Sequence, residues 1–231
     1  MIILLQVSLM STFDAVNSVF PFLYGVPIVH SYQLETKFLL YWYLPIAAFS
    51  FYFTGYIKNA LMTYGKAVII RNYSKSKWIL KRFIGMIYAL CLFVLFQISI
   101  FYLFLSGKHS LPDGEETVKL ISIYYLTLVV IFSIQLLLEL YVSPQISQLI
   151  INIYIVLSVL LTKQLYLTGS SETIYYFFIT NYGMGFKTGI SSIPQYQTII
   201  IDYWVGIFVL LIFGLIILSF SMRRLKNIDI F

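Results

Sequence analysis

Very few side chains in this sequence can do chemistry, so their placement carries most of the information. Nine Asp and Glu stand among 231 residues, and three of them, Asp14, Glu139 and Asp202, fall within or at the edge of long apolar runs. An ionisable group in the middle of a membrane span marks a proton relay, an ion path or a substrate counter-ion. Glu139 falls near one end of its run and Asp202 at the start of another, so both are expected to reach the interface or to pair with a nearby lysine. Asp14 either faces a cavity or lies in the headgroup region. The lack of mid-span charge argues against a carboxylate-lined pore and against a proton- or sodium-coupled pump. Driving energy is expected from outside this chain.

Other chemistries lack their residues. No G-x-x-x-x-G-K-[ST] phosphate loop, HExxH pair, Ser/His/Asp arrangement or paired-carboxylate site is present. NYGMGF (181–186) contains Gly-x-Gly without the preceding strand and third glycine of a dinucleotide fold. His30 and His109 are too far apart to suggest a zinc pair, and the single cysteine, Cys91, permits no intrachain disulfide. The expectation is a non-enzyme with no catalytic, metal or cofactor-binding residue of its own.

The composition points to a polytopic helical membrane protein. Sixty per cent of residues are apolar and 10% charged, too few charges for the surface of a soluble domain of this size. The net charge of +6 does not indicate nucleic acid, because the basic residues gather beside apolar runs, where membrane topology places them. A bilayer-crossing helix needs roughly 20 mostly apolar residues. Spans are expected at about 1–27, 38–57, 84–106, 119–142, 145–162 and 201–221, within one transmembrane domain covering 1–231. The first of these is read as a span, not a removed signal peptide, since no basic region precedes it.

Two connecting regions exceed what a turn requires. The stretch 58–82 holds seven of the fifteen basic residues and no acidic one. With the tail residues Arg223, Arg224 and Lys226 it places ten basic residues on one side against five on the other, which makes that side and both termini cytoplasmic. Ala60, Leu61, Tyr64, Val68 and Ile69 recur at helical spacing. Asn72-Tyr73-Ser74 breaks the pattern, and Ser74 or Ser76 can cap a second helix carrying Trp78, Lys81 and Arg82 into the next span. A rigid helical knuckle over the coupling region 58–83 follows. The second region, 163–200, includes IYYFFITNYGMGF (174–186), which is too short to span and too aromatic for water. It is expected to form short re-entrant or interfacial helices, with Tyr175, Tyr176, Phe177, Phe178, Tyr182 and Phe186 as an outer gate.

The segment IIRNYSKSKWILKRFI (69–84) resembles the one after the second span of small ABC-2-type permeases of Gram-positive bacteria, where an Arg, a Ser-Lys/Arg-rich turn and a Trp precede the third span. The six spans, the long apolar outer segment and the basic tail RRLKNIDIF (223–231) are similar too. The chain departs from that pattern at its start, where the usual basic amphipathic segment is missing. The resemblance implies an all-α integral membrane fold in the bacterial cytoplasmic membrane. It also implies a separate ATP-binding subunit carrying ATP and magnesium, and a homodimer or heterodimer of permeases. Arg71, Asn72, Tyr73, Ser74, Lys75, Ser76, Lys77 and Trp78, with Lys81 and Arg82, would be the element that meets the ATPase. The cargo would be a hydrophobic or amphipathic peptide such as a bacteriocin, lantibiotic or peptide toxin.

A reading from a different class is a non-transporting immunity or sensor protein that binds a membrane-active peptide without an ATPase. Its basic loop would lie on anionic headgroups, at about 1 kcal/mol per Lys or Arg.

Overall fold

A computed structural model of the protein describes residues 2–10, 16–28, 32–65, 67, 69, 74–190 and 201–227. Asp14, Arg71, Asn72 and Tyr73 lie outside the described residues. The described chain is all-helical. Its principal helices are α1 (Ile2–Met10), α2 (Tyr32–Tyr52), α3 (Lys75–Leu105), α4 (Gly114–Glu139), α5 (Pro144–Leu167) and α6 (Tyr203–Lys226). Uncharged runs of this length fold as helices because a helix satisfies every interior N–H and C=O within the segment, which an apolar solvent demands.

Four of these helices, α3 to α6, are long and apolar enough to cross a bilayer. This is a membrane protein. α4 is the central helix: 61% of its spanning window is buried within the fold, against 28%, 33% and 22% for α3, α5 and α6. The outward residues of α3 and α6, among them Leu92, Phe96, Phe208 and Leu215, are exposed and apolar. Such a surface belongs in lipid, where a soluble protein would carry charge.

The helix ends follow local chemistry. Ser143 caps α5, its hydroxyl accepting from the Ile146 N–H at 3.4 Å, and Pro144 takes the first turn, where no N–H is needed. Asp202 caps α6, accepting from the Val205 N–H at 2.9 Å. Arg223, Arg224 and Lys226 occupy the last turn of α6, opposite in sign to the carbonyl end of its dipole.

The two expected N-terminal spans differ from these four. α2 has 21 residues, about 31 Å of helix, but it opens with Gln33, Glu35, Thr36 and Lys37 and is less apolar. Residues 1–27 do not form one helix among the described residues. α1 has nine residues, about 13 Å, and 16–28 is irregular apart from a 3-10 turn at Pro21–Leu23. That irregular backbone is buried, and protein groups supply its hydrogen bonds. The Val19 N–H donates to the Ser110 carbonyl at 3.1 Å, and the Phe20 N–H to the Ser18 hydroxyl at 3.2 Å.

Pro45 explains how α1 is seated. Inside α2 it has no N–H to offer the Tyr41 carbonyl one turn earlier. The Gln6 side chain fills the gap, donating from Nε2 to that carbonyl at 2.9 Å, while its Oε1 accepts from Gln97 Nε2 on α3 at 3.0 Å. One glutamine thus joins α1 to α2 and α3 through a carbonyl that proline left open. Gln6→Ala is expected to lower stability by about 1–3 kcal/mol, measured as a shift in thermal unfolding in detergent. In a Pro45→Ala background, which restores the helical donor, most of that loss should disappear; an equal loss in both backgrounds would refute this account.

Candidate functional site: the basic end of the bundle

The ends of α2 and α4, the starts of α3 and α5, and the end of α6 meet at one pole of the bundle. After Tyr52 the chain turns through residues 53–57, where Gly55 adopts a left-handed φ of +80°. A Cβ at Gly55 would also lie 2.1 Å from Asn59 Nδ2, so both conformation and space require glycine. Glu139, the last residue of α4 and 1% exposed, reaches into this turn. Its Oε1 accepts from the Gly55 N–H at 2.7 Å, and its Oε2 accepts from the N–H groups of Ile57 at 3.0 Å and Lys58 at 3.3 Å. Successive N–H groups arranged around a carboxylate form an anion nest. The Lys58 amine adds a second tie, donating to the Val142 carbonyl at 3.0 Å.

Beyond this clasp a helical turn, Lys58–Ala60, continues into a wider π turn at Leu61–Gly65. Gly65 packs against the next helix: a Cβ there would lie 3.0 Å from Cζ2 of Trp78. Trp78 is buried, and the Arg82 guanidinium lies 5.2 Å from its ring and 5.3 Å from that of Tyr56. Each such cation–π contact contributes about 0.5–1 kcal/mol. Gly85 leaves room for the Tyr56 hydroxyl, which would stand 2.6 Å from a Cβ. Arg82 therefore holds the turn after α2 against the first turns of α3. The C-terminal end joins as well: the Lys75 amine donates to the Lys226 carbonyl at 3.2 Å, and the Arg224 guanidinium lies 4.7 Å from the Tyr141 ring.

The opposite pole is closed by the segment after α5. It folds into a 3-10 helix Glu172–Phe177, a one-turn helix Ile179–Tyr182 and a 3-10 turn Gly185–Lys187. Tyr175, Tyr182 and Phe186 are buried, Tyr176 and Phe178 half-buried, and Phe177 is 81% exposed. Phe186 stacks near Tyr24 and Phe38, with centroids 5.4 and 5.9 Å away. Gly185 allows this approach, since a Cβ would meet Leu120 Cδ2 at 2.7 Å and the Leu23 carbonyl at 3.1 Å. A polar cluster lies beneath. The Lys187 amine donates to Asn181 Oδ1 at 3.0 Å, and the Thr162 hydroxyl donates to the same oxygen at 3.2 Å. Ser158 and Thr180 share a hydrogen bond of 2.7 Å, and Lys163 pairs with Glu35.

Between the poles, α2, α4 and α5 are joined by amide and hydroxyl side chains. Gln135 Nε2 donates to the Ser50 carbonyl at 2.8 Å and the Ser50 hydroxyl to Gln135 Oε1 at 3.0 Å. Asn152 donates to the Ser50 hydroxyl at 2.8 Å and accepts from the Tyr43 hydroxyl at 2.5 Å.

The family model described as "Protein of unknown function (DUF2705)" matches residues 1–231. The chain belongs to the DUF2705 family. It is also similar to a protein of Bacillus subtilis (strain 168) named "Uncharacterized protein YybK", with 38% identity over 232 residues, 98% of this chain and 92% of the relative. No solved structure matches.

The geometry of this DUF2705 protein sorts the residues singled out in the sequence. Ser74, Lys77 and Lys81 are exposed, while Trp78 is buried, Arg82 sits between two rings, Lys75 reaches the end of α6 and Ser76 is half-buried. Ser74 occupies the N-cap position of α3, but its side chain makes no capping bond, so the expected hydroxyl cap is corrected. Glu139 is buried, and backbone N–H groups, not a lysine amine, satisfy its carboxylate. Asp202 is a helix cap. Sequence reasoning did not find the roles of Lys187, Asn181, Thr162 and Glu35: Glu35 pairs with Lys163, 128 residues on, Thr162 reaches Asn181 across 19 residues, and the contact of Lys187 with Asn181, six residues back, depends on how the irregular segment folds. The one available signal was a lysine directly following an otherwise uncharged aromatic stretch.

Glu139→Ala removes an acceptor from two buried N–H groups and a third, half-buried one and is expected to cost at least about 3 kcal/mol. Glu139→Gln, which keeps one carbonyl oxygen, should cost less. Limited trypsin digestion at Lys58 and Lys66 should speed up in the same order; unchanged cleavage in the alanine variant would show that the carboxylate does not hold the turn.

Proposed function

We propose that this protein is the membrane-spanning permease subunit of an ATP-driven exporter, whose basic pole receives a separate ATP-binding subunit in the cytoplasm. The observation that carries this reading is the clasp of Glu139 on the turn that begins the basic segment. A force applied to a flexible loop is lost as loop motion. Here the turn that leads into the segment donates its N–H groups to the Glu139 carboxylate on α4, the central helix, and is held through Arg82 to α3. A partner moving this segment would move the bundle with it.

The electrostatics suit a protein partner. Lys77 and Lys81 are exposed beside the described start of α3, available to carboxylates or helix C-termini on a docked surface. In this reading α1, the buried segment 16–28 and α2 complete a six-span membrane domain with α3 to α6, and the basic ends face the cytoplasm. The substrate class is a hydrophobic or amphipathic peptide such as a bacteriocin, lantibiotic or peptide toxin. A cleft of about 350 Å³ between α2 and α5, lined by Leu39, Leu157 and Leu160 together with Glu35 and Lys163, suits an amphipathic chain. Two permease copies, identical or similar, would enclose the path.

The test is co-expression with a candidate ATP-binding subunit, purification of the complex, and charge reversal at Arg71, Lys77 and Lys81. Reversal is expected to reduce co-purification at least tenfold while leaving the permease folded, as judged by its thermal unfolding. A complex that survives reversal with ATP hydrolysis still coupled to transport would remove the docking claim. Protection of cells by this chain alone, with no ATPase, would replace the transport reading by sequestration.

A further inference from the structure

The polar cluster at the pole opposite the basic segment plays no part in the docking reading, and it surrounds Lys187, the one fully buried lysine among the described residues (1% exposed). Lys187 joins several elements. Its N–H donates to the Met184 carbonyl at 2.8 Å, and its own carbonyl accepts from the Ile201 N–H at 2.8 Å, just ahead of α6. Its amine bonds Asn181, which the Thr162 hydroxyl ties to α5, and the neighbouring Phe186 N–H donates to the Tyr24 carbonyl at 3.0 Å. The amine therefore lies in the seam where the segment 172–190 is sewn to α5 and to the start of α6.

The charged surroundings decide what a proton does there. Glu35 on α2 is the charged group that acts on the amine, and it is itself bound to Lys163 on α5. On α4, Glu116 accepts from the Tyr24 hydroxyl at 3.1 Å; on α6, Asp202 caps Val205. Within the segment, the Tyr182 hydroxyl donates to the Tyr176 carbonyl at 2.7 Å. Asn181, the direct partner, is neutral. An ammonium in this seam is buried against an amide oxygen, with its facing carboxylate already shared.

We propose that Lys187 is a proton-operated latch. Uptake of a proton from the medium at that pole puts a charge into the seam and loosens the segment 172–190; release of the proton lets the segment close against α5 and α6.

Burial lowers the affinity of the amine for its proton, and Glu35 opposes this; the balance is a pKa pushed down to about 7. An exposed lysine titrates near about 10.4. The opened segment therefore binds the proton more tightly than the closed one. Closure gains stability as pH rises from about 7 towards about 10, and this gain is absent below about 7.

Hydrogen–deuterium exchange of the intact protein in lipid nanodiscs, from pH 6 to 9 and corrected for intrinsic exchange, tests this directly. Protection across 172–190 should be level below about pH 7 and then rise, approaching tenfold per pH unit, while protection in α4 stays constant. Lys187→Met should be protected equally at every pH. Glu35→Gln, which removes the carboxylate favouring the charged form, should move the rise to lower pH. Wild-type protection that does not change over this range, an unaltered pH response in Lys187→Met, or a rise in Glu35→Gln at or above the wild-type pH would each overturn the proposal. If Lys187→Met does not fold, the wild type and Glu35→Gln decide it.

Discussion

The carboxylate of Glu139 inside the turn that follows α2 is the interaction on which the basic pole depends. The turn cannot be helical, because it must redirect the chain from α2 into the basic segment. Its N–H groups consequently lose their intrahelical acceptors where water is scarce. A neutral acceptor would satisfy one or two of them; an ionised carboxylate offers about four lone-pair sites and stronger hydrogen bonds. The N–H groups in turn stabilise a charge that burial would otherwise penalise. Each side makes the other tolerable, and the result is a fixed joint between the central helix and the most basic segment of the chain.

The same rule governs the rest of the fold. At several places where the described backbone leaves the helical state inside the bundle, a side chain takes up what is exposed. Gln6 serves the carbonyl that Pro45 abandons. The Tyr154 hydroxyl accepts from the Ile179 N–H at 3.0 Å where the one-turn helix begins, and Asn181 Nδ2 donates to the Tyr175 carbonyl at 3.0 Å. Gln6, Tyr154 and Asn181 thus mark places where irregular or proline-interrupted backbone is packed inside the protein. They are not dispersed at random. The two poles are irregular and polar-bonded, and the stretch between them is helical and crossed by a few amide and hydroxyl bridges.

Much of the fold was legible because membrane helices write themselves locally. Ile84 to Ser106 contains no charge, and a run like that has one low-energy form in lipid. Legibility failed at the N-terminus. Residues 1–27 are apolar enough to suggest one helix, yet 16–28 is irregular and buried. Apolarity there reports contact with other protein segments and not with lipid, a distinction that composition alone does not carry. The same ambiguity affects Glu139. Its position near a helix end suggested snorkelling, but the turn that wraps it lies more than eighty residues earlier in the chain.

The sequence by itself determined the solvent, the helical class and the asymmetry of charge, since each depends on composition within a window of about twenty residues. It also marked the most basic segment of the chain through its excess of Lys and Arg. Only the tertiary structure decided that this segment is anchored by Glu139 and Arg82, and that Lys187, one of eleven lysines, is buried in a seam with Asn181 and Thr162. The reason is physical. A lysine has the same intrinsic chemistry wherever it occurs, and what changes its behaviour is the water removed and the partners brought in by elements distant along the chain.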